Sequence, residues 1–189
     1  MVRVFQQSFD YPYDWATATR AVWQKYPNPF ASHVISSDLI DVHHDPATGV
    51  LCTVRLFRKM GHVPRWGRLF MQSGSNEAYI LEHAYVDARQ QTMRTVTQNL
   101  SHTKIMVVEE TQVYTPAPDA PTARTRVTNK ARFISNAGWE SIKSRIEGFG
   151  LARFHENTQK SAQGLSYVME RLAGTRAAPR LGAVVPPSP

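Results

Sequence analysis

The sequence predicts an α+β fold in which an antiparallel, strongly curved sheet grips a long C-terminal helix. Three observations carry that expectation. Strand-like segments follow one another from residue 33 to 134, separated only by turn signals. From about Asn136 to Leu172 the pattern changes to a helical period. Consecutive strands joined by short turns indicate antiparallel pairing with one helix laid over the sheet, not a parallel doubly wound sheet. Such a grip can enclose a pocket.

Each element follows from local chemistry. Residues 2–10 alternate as a strand, and Pro12 and Asp14 then supply start signals for a helix with Trp15, Ala18 and Val22 on one face. Tyr26-Pro27-Asn28-Pro29 ends it, because proline lacks the N–H that helix continuation requires. Residues 33–43 and 50–60 form a strand pair around the turn Asp45-Pro46-Ala47-Thr48-Gly49, and further strands are expected near 77–86, 91–100 and 103–115. After the loop from Pro116 to Pro121, residues 123–134 give a last strand with Arg124, Arg126, Thr128, Lys130 and Arg132 on one solvent-facing side. Ala173 onward, with its prolines and small residues, reads as a disordered tail. One domain is therefore expected over residues 1–172, with 173–189 outside it.

Between Asp45 and Glu77 the chain has no acidic residue. Inside that window Arg55, Arg58, Lys59, Arg65 and Arg68 alternate with Phe57, Met60, Val63, Trp66, Leu69, Phe70 and Met71. Cations alone would suit a phosphate backbone, but this mixture suits an anionic membrane surface. There each Lys or Arg near the headgroups gains roughly 1 kcal/mol while Trp, Phe and Leu bury at the acyl boundary. Gly61, Pro64 and Gly67 interrupt any regular element, so the segment reads as a lid-like loop.

The totals bound the partner and the compartment. At 189 residues the chain is long enough for one substantial core or for an enclosed cavity. The net charge of +7 and pI near 9.8 call for an anionic partner: nucleic acid, an acidic protein or a lipid surface. The single cysteine, Cys52, excludes an intrachain disulfide and a Cys-based zinc site, and its strand context reads as a buried structural thiol. No run approaches the ~18 apolar residues of a transmembrane helix. Early Asp10 and Asp14 and a strand-like start argue against a cleavable presequence.

The long helix adds a second clue. At roughly 100° per residue, Trp139, Ile142, Ile146, Phe149, Gly164 and Val168 share a face directed at the sheet, and Arg153, Asn157 and Lys160 fall in the same stripe. Cations on a dry core face are unfavourable unless something pairs with them. Either they line a cavity and hold an anionic headgroup, or Gly148 and Gly150 bend the helix and turn them to solvent. Periodicity leaves both readings open.

Catalytic signatures are missing. There is no Gly-rich phosphate loop, no serine nucleophile elbow and no paired-carboxylate pattern. Glu109 and Glu110 are neighbours in a strand, so their side chains diverge; His43 and His44 diverge likewise and predict no metal site. Neither an enzyme nor a cofactor is expected.

Several ordered motifs resemble the PRELI family of mitochondrial intermembrane-space phospholipid-transfer proteins, which includes the yeast Ups proteins. They are Tyr26-Pro27-Asn28-Pro29-Phe30 with His33-Val34, Arg55-Leu56-Phe57-Arg58-Lys59 leading into Pro64-Arg65-Trp66, Asn99-Leu100-Ser101-His102 with Val107-Val108-Glu109-Glu110, and Phe149-Gly150-Leu151-Ala152-Arg153-Phe154 followed by Asn157 and Lys160. Within that family the chain is more similar to the phosphatidic-acid carriers than to the phosphatidylserine carriers.

The resemblance implies a StAR-like helix-grip fold with a lipid cavity, and transfer of phosphatidic acid between the mitochondrial outer and inner membranes. It implies headgroup contacts from Lys25, His33, Lys59, Arg153, Asn157 and Lys160. It also implies a membrane-contacting lid containing Gly61, His62, Pro64, Arg65, Trp66, Arg68, Leu69, Phe70 and Met71. A small helical partner with twin Cys-x9-Cys motifs is implied as well, with residence in the intermembrane space, peripheral at membranes. Two departures bear on specificity: Lys25 stands where relatives often carry Arg, which loses bidentate geometry, and His62 stands where a lid Lys can occur. The alternatives are a phosphatidylserine carrier of the same family and a basic nucleic-acid-binding protein. The second would need aromatics on an exposed sheet face, and the Arg124–Arg132 face has none.

Overall fold

Seven antiparallel strands and two α-helices build the protein, in a computed structural model that describes residues 2–60, 77–135 and 140–177. In chain order these are β1 (Val2–Tyr11), α1 (Trp15–Trp23), β2 (Val34–His44), β3 (Leu51–Met60), β4 (Glu77–Asp87), β5 (Thr92–Asn99), β6 (Met106–Pro116), β7 (Thr125–Ser135) and α2 (Glu140–Ala177). The sheet order is β1-β7-β6-β5-β4-β3-β2. Strands β2 to β7 therefore form a meander, and β1 closes onto its last strand while α1 crosses from one edge of the sheet to the other. Short connections force the β2–β3, β4–β5 and β5–β6 pairings, since a tight turn can only reverse the chain into its neighbour.

Local residues explain the turns. Asp14 caps α1, its carboxylate accepting from Thr17 N at 2.9 Å and Thr17 Oγ1 at 2.7 Å. At the β2–β3 turn Asp45 accepts from Ala47 N at 2.9 Å and Thr48 Oγ1 at 2.6 Å, and Gly49 takes φ +76°, where a side chain would be strained.

Both helices lie on the concave face. Ala18 and Ala21 are fully buried, so α1 approaches closely, and Trp15 Nε1 donates to the Tyr114 carbonyl at 3.1 Å. Tyr114, Phe133, Met93 and Met169 are the largest fully buried side chains; each contributes on the order of 1.5–3 kcal/mol through the surface it removes from water. Phe154 of α2 meets Phe5 and Phe133 edge to face, both at 5.3 Å. The chain thus has the helix-grip architecture expected from its sequence.

Three expectations need correction. The helix continues through Ala177, past the Leu172 at which the periodicity ends it: Ala173 and Ala177, read as tail residues, are good helix formers. Cys52 is half-buried, because alternation along β3 sends Thr53, Arg55 and Phe57 to the interior and Cys52 to the other side. Arg55, counted among the membrane-facing cations, points inward and is 5% exposed. The lid residues Gly61, His62, Pro64, Arg65, Trp66, Arg68, Leu69, Phe70 and Met71 lie outside the described residues, as do the side chains of Trp139, Ile142, Ile146 and Phe149.

Candidate functional site

Past α1 the chain turns back into the grip. Tyr26–Pro27 is a cis peptide bond, and buried Asn28 organises the turn around it: its Oδ1 accepts from Phe30 N at 2.9 Å and its Nδ2 donates to the Lys25 carbonyl at 2.7 Å. This loop docks on α2 where Gly164 has no side chain; a Cβ there would stand 2.7 Å from Asn28 Oδ1. Lys25 Nζ, carried across the same contact, donates to Ser161 Oγ at 2.6 Å. Lys25 as a whole is half-buried. Burial lowers the Lys25 pKa, the carboxylates of Glu110 and then Glu82 oppose that, and Arg55 adds to the lowering.

Aromatic faces bridge the cations. The Lys25 ammonium lies 5.6 Å from the Tyr26 ring, Tyr26 meets Phe57 edge-on at 5.5 Å, and Lys59 Nζ lies 5.6 Å from Phe57. Arg55 stacks between Trp23 and Phe57, at 5.0 and 5.2 Å. Its Nε and Nη2 donate to Glu82 Oε1 at 2.9 and 2.5 Å, and its Nη1 donates to the Val22 carbonyl at 3.1 Å. Arg55 is thereby matched internally, whereas Lys25 and Lys59 present their charge along the inner wall.

His33 reports on the combined field. Partial burial comes first, followed by the charges of Lys59, Lys160, Arg153 and Lys25, and together they hold its pKa below the usual imidazole value. Five of the six sequence-predicted headgroup residues are therefore near enough to interact electrostatically, although they come from the α1–β2 connection, β3 and α2. Strand β2 is locked beside them by Met60 N donating to the His33 carbonyl at 2.7 Å.

On α2 the predicted stripe is present but rotated. Phe154, Thr158, Ser161, Leu165, Val168 and Met169 face the core, while Arg153 is half-buried and Asn157 and Lys160 are exposed. At 100° per residue the polar stripe lies about a quarter turn from the centre of the core face, on the side of Lys25 and His33. Lys160 is also paired: its Nζ donates to Glu156 Oε1 at 2.7 Å, a half-exposed i,i+4 contact that holds the Glu156 carboxyl below its ordinary pKa. Such surface pairs contribute little, so an incoming anion could displace it.

The PRELI-like family model matches residues 16–175. The chain belongs to the PRELI-like family. Protein UPS1, mitochondrial, of Saccharomyces cerevisiae is 36% identical over 176 residues, covering 93% of this chain and 98% of its own. Human PRELI domain-containing protein 1, mitochondrial, is 35% identical over 161 residues, covering 85% and 72%. Protein UPS2, mitochondrial, of the same yeast is 30% identical over 169 residues, covering 89% and 73%. Among solved structures, the Zhui aromatase/cyclase from Streptomyces sp. R1128 superposes with a TM-score of 0.63 at 8% identity, covering 94% of this chain and 99% of its own. TTHA0849 from Thermus thermophilus gives 0.56 at 15%, covering 92% and 99%. These two likenesses concern the fold alone.

Several motifs of this PRELI-like chain turn out to be structural. The Asn99 side chain donates to the carbonyls of Ser101 at 2.7 Å and Met106 at 2.9 Å and accepts from Val108 N at 2.7 Å, stapling the β5–β6 connection. The predicted divergence of Glu109 and Glu110 is observed: Glu109 faces outward near Arg132 at 3.7 Å, and Glu110 inward, accepting from Asn129. The basic face of β7 is outward as expected, with Arg126 bidentate to Asp10 at 2.8 Å through both contacts and Arg124 paired with Asp119. Sequence reasoning missed the interior polar group of Arg55, Glu82, Glu110, Gln112, Asn129 and Ser161. Parity along β6 was the available signal, since Glu110, Gln112 and Tyr114 alternate on the same side.

Proposed function

We propose that this PRELI-like protein is a non-vesicular phospholipid carrier and not an enzyme, and that it moves phosphatidic acid between the mitochondrial outer and inner membranes. The observation that carries the reading is the convergence of Lys25, Lys59, Arg153 and Lys160 from separate elements into one positive field around half-buried His33. A two-chain phospholipid cannot cross water unaided, because at about 0.8 kcal/mol per exposed CH₂ its chains impose a barrier on the order of 20 kcal/mol. A carrier has to cover the chains and replace the hydration of the headgroup.

In this reading Trp66, Leu69 and Phe70 of the lid enter an anionic leaflet with Arg65 and Arg68 at the headgroups, and the lipid slides in headgroup first. Lys25, Lys59, Arg153 and Lys160 then supply charge-assisted hydrogen bonds, with His33 and Asn157 as further polar contacts. The gradient between the two membranes drives net transfer, with no nucleotide, metal or cofactor consumed. The mitochondrial names of the relatives support residence in that organelle. The intermembrane space, and a small helical partner with twin Cys-x9-Cys motifs, belong to the proposal.

The outward cations of β7, with Arg124 just before it, favour this reading over nucleic-acid binding, because Arg124, Arg126 and Arg132 have acidic neighbours in Asp119, Asp10 and Glu109. Mass spectrometry of lipid co-purified with the protein tests the cavity, the ligand class and the headgroup together. Arg153→Glu or Lys160→Glu should abolish extraction of phosphatidic acid from vesicles while circular dichroism stays unchanged; unaltered extraction would defeat the headgroup assignment. Recovery of phosphatidylserine in its place would give the lipid as the sibling class.

A further inference from the structure

One interior carboxylate has no part in the carrier mechanism. Glu110 lies on the inward side of β6, and its Oε1 accepts from Gln112 Nε2 and Asn129 Nδ2, both at 2.7 Å. Gln112 Oε1 accepts in turn from the Tyr114 hydroxyl at 2.5 Å. These contacts fix both amides. Asn129, 1% exposed, turns its nitrogen to Glu110 and leaves Oδ1 buried with no partner among the described residues.

Gln112, Tyr114 and Asn129 line a cavity of about 10 Å³ whose other polar walls are Lys25, Thr158 and Ser161. The two donors that anchor Glu110 and the Lys25 ammonium thus bound the same small space. Glu82, the other interior acid, is matched by two nitrogens of Arg55. Among the described residues Glu110 has neutral amide donors and no ion pair.

We propose that Glu110, fixed by Gln112 and Asn129, is the resident counter-ion of Lys25 and sets the charge with which Lys25 meets an anionic headgroup. The proposal rests on the carrier reading for its second half only. In the empty grip, burial favours a neutral Lys25 amine and Arg55 from β3 acts in the same direction, while Lys59 from β3 and Arg153 and Lys160 from α2 act on neighbouring His33. His33, in the α1–β2 connection, is held toward its neutral form by the same field. Tyr11, Tyr26 and Tyr114 have raised pKa values through burial and stay uncharged. That leaves the carboxylates to hold the ammonium, with Glu110 foremost and Glu82 second. Glu110 is therefore a positioning residue acting through Lys25. A headgroup arriving at Lys25 takes over the part Glu110 plays in the empty protein.

The test is a pH titration of the Lys25 side chain by heteronuclear NMR in the full chain, compared across wild type, Glu110→Gln and Glu109→Gln. Glu110→Gln keeps an acceptor for both amides and removes only the charge. It should lower the Lys25 midpoint by about one pH unit or more, the range typical of losing a close opposite charge, whereas outward Glu109→Gln should leave it in place. Glu110→Ala should lower the Lys25 midpoint likewise, which keeps the proposal testable if Glu110→Gln fails to fold. Unmoved midpoints overturn it. The functional half is read from extraction of phosphatidic acid out of phosphatidylcholine vesicles against pH. For Glu110→Gln the alkaline fall in extraction should move to lower pH with the Lys25 midpoint. A moved midpoint with an unchanged extraction profile would keep the counter-ion and overturn the role of Lys25 at the headgroup.

Discussion

Replacing Gly164 with alanine sets two effects of opposite sign against each other. Glycine inside a helix costs about 0.8–1 kcal/mol relative to alanine, so Gly164→Ala gains that much from the backbone. The added Cβ, however, would stand 2.7, 3.0 and 3.1 Å from the Oδ1, Nδ2 and Cγ atoms of Asn28. Asn28 cannot swing aside without giving up its bonds to Lys25 O and Phe30 N, and it is 8% exposed. Overpacking costs typically ~1–3 kcal/mol, and a weakened buried hydrogen bond adds ~1 kcal/mol. The net expectation is a loss of about 1–3 kcal/mol, or roughly 2–12 °C in midpoint for a chain of this size. Gly148 and Gly174 of the same helix are the controls: nothing lies within 4 Å of a Cβ at either. Gly148→Ala and Gly174→Ala should each stabilise by about 0.5–1 kcal/mol. Thermal and urea denaturation of the three variants decides it. A Gly164→Ala protein as stable as the two controls would refute the idea that the loop carrying Lys25 is seated on bare helix backbone. Because Asn28 anchors the Lys25 carbonyl, lipid extraction by Gly164→Ala should fall even at temperatures where the variant is fully folded.

Removing one member of the interior ion pair should be worse than removing both. Glu82→Leu leaves the Arg55 guanidinium buried and unmatched, at a cost of about 3–5 kcal/mol, while Arg55→Met with Glu82→Leu should recover most of it; equal losses in urea denaturation would argue against the pairing. Asn99→Ala strips the β5–β6 connection of three hydrogen bonds and should cost about 1–3 kcal/mol, with faster hydrogen exchange at the Val108 amide as the local readout. Asp10 and Glu156 have folded pKa values below their ordinary ones, through Arg126 and Lys160. Their contribution is present above the ordinary carboxylate range and lost as pH falls through the folded values. Stability lost to these two groups between pH 7 and 5 would contradict that assignment.

Much of the fold was legible because period and punctuation agree. The alternation of β3 and the Asp45–Gly49 turn fix a hairpin, and Asp14 ahead of Trp15, Ala18 and Val22 fixes α1. Phase was harder than period. The predicted core face was set by Trp139, Ile142, Ile146 and Phe149, whose side chains lie outside the described residues, together with Gly164, and at roughly 100° per residue it runs through Arg153, Asn157 and Lys160. Gly164 is buried, but against the Asn28 loop, and the sheet-facing row runs through Phe154, Ser161 and Leu165. A glycine has no hydrophobic side to declare, so its burial does not say which neighbour covers it. Register was beyond reach for a related reason. Arg55 and Glu82 are direct cross-strand partners in β3 and β4, yet they are separated by a segment from which no pairing offset can be read.

That missing register changes the meaning of the basic window between Asp45 and Glu77. Read along the chain, its cations form one population attracted to a membrane. In the fold they divide by strand parity. Arg55 turns inward and is matched by Glu82. Lys59, further along β3 on the same side, has no ion pair among the described residues and adds to the field at His33. A carrier needs that division. A wall of matched ions would hold no headgroup, and a wall of unmatched ones would oppose folding, since each buried charge lacks hydration. In the proposed carrier, matching Arg55 permanently and leaving Lys59 to the ligand would let the grip fold empty and still bind an anion.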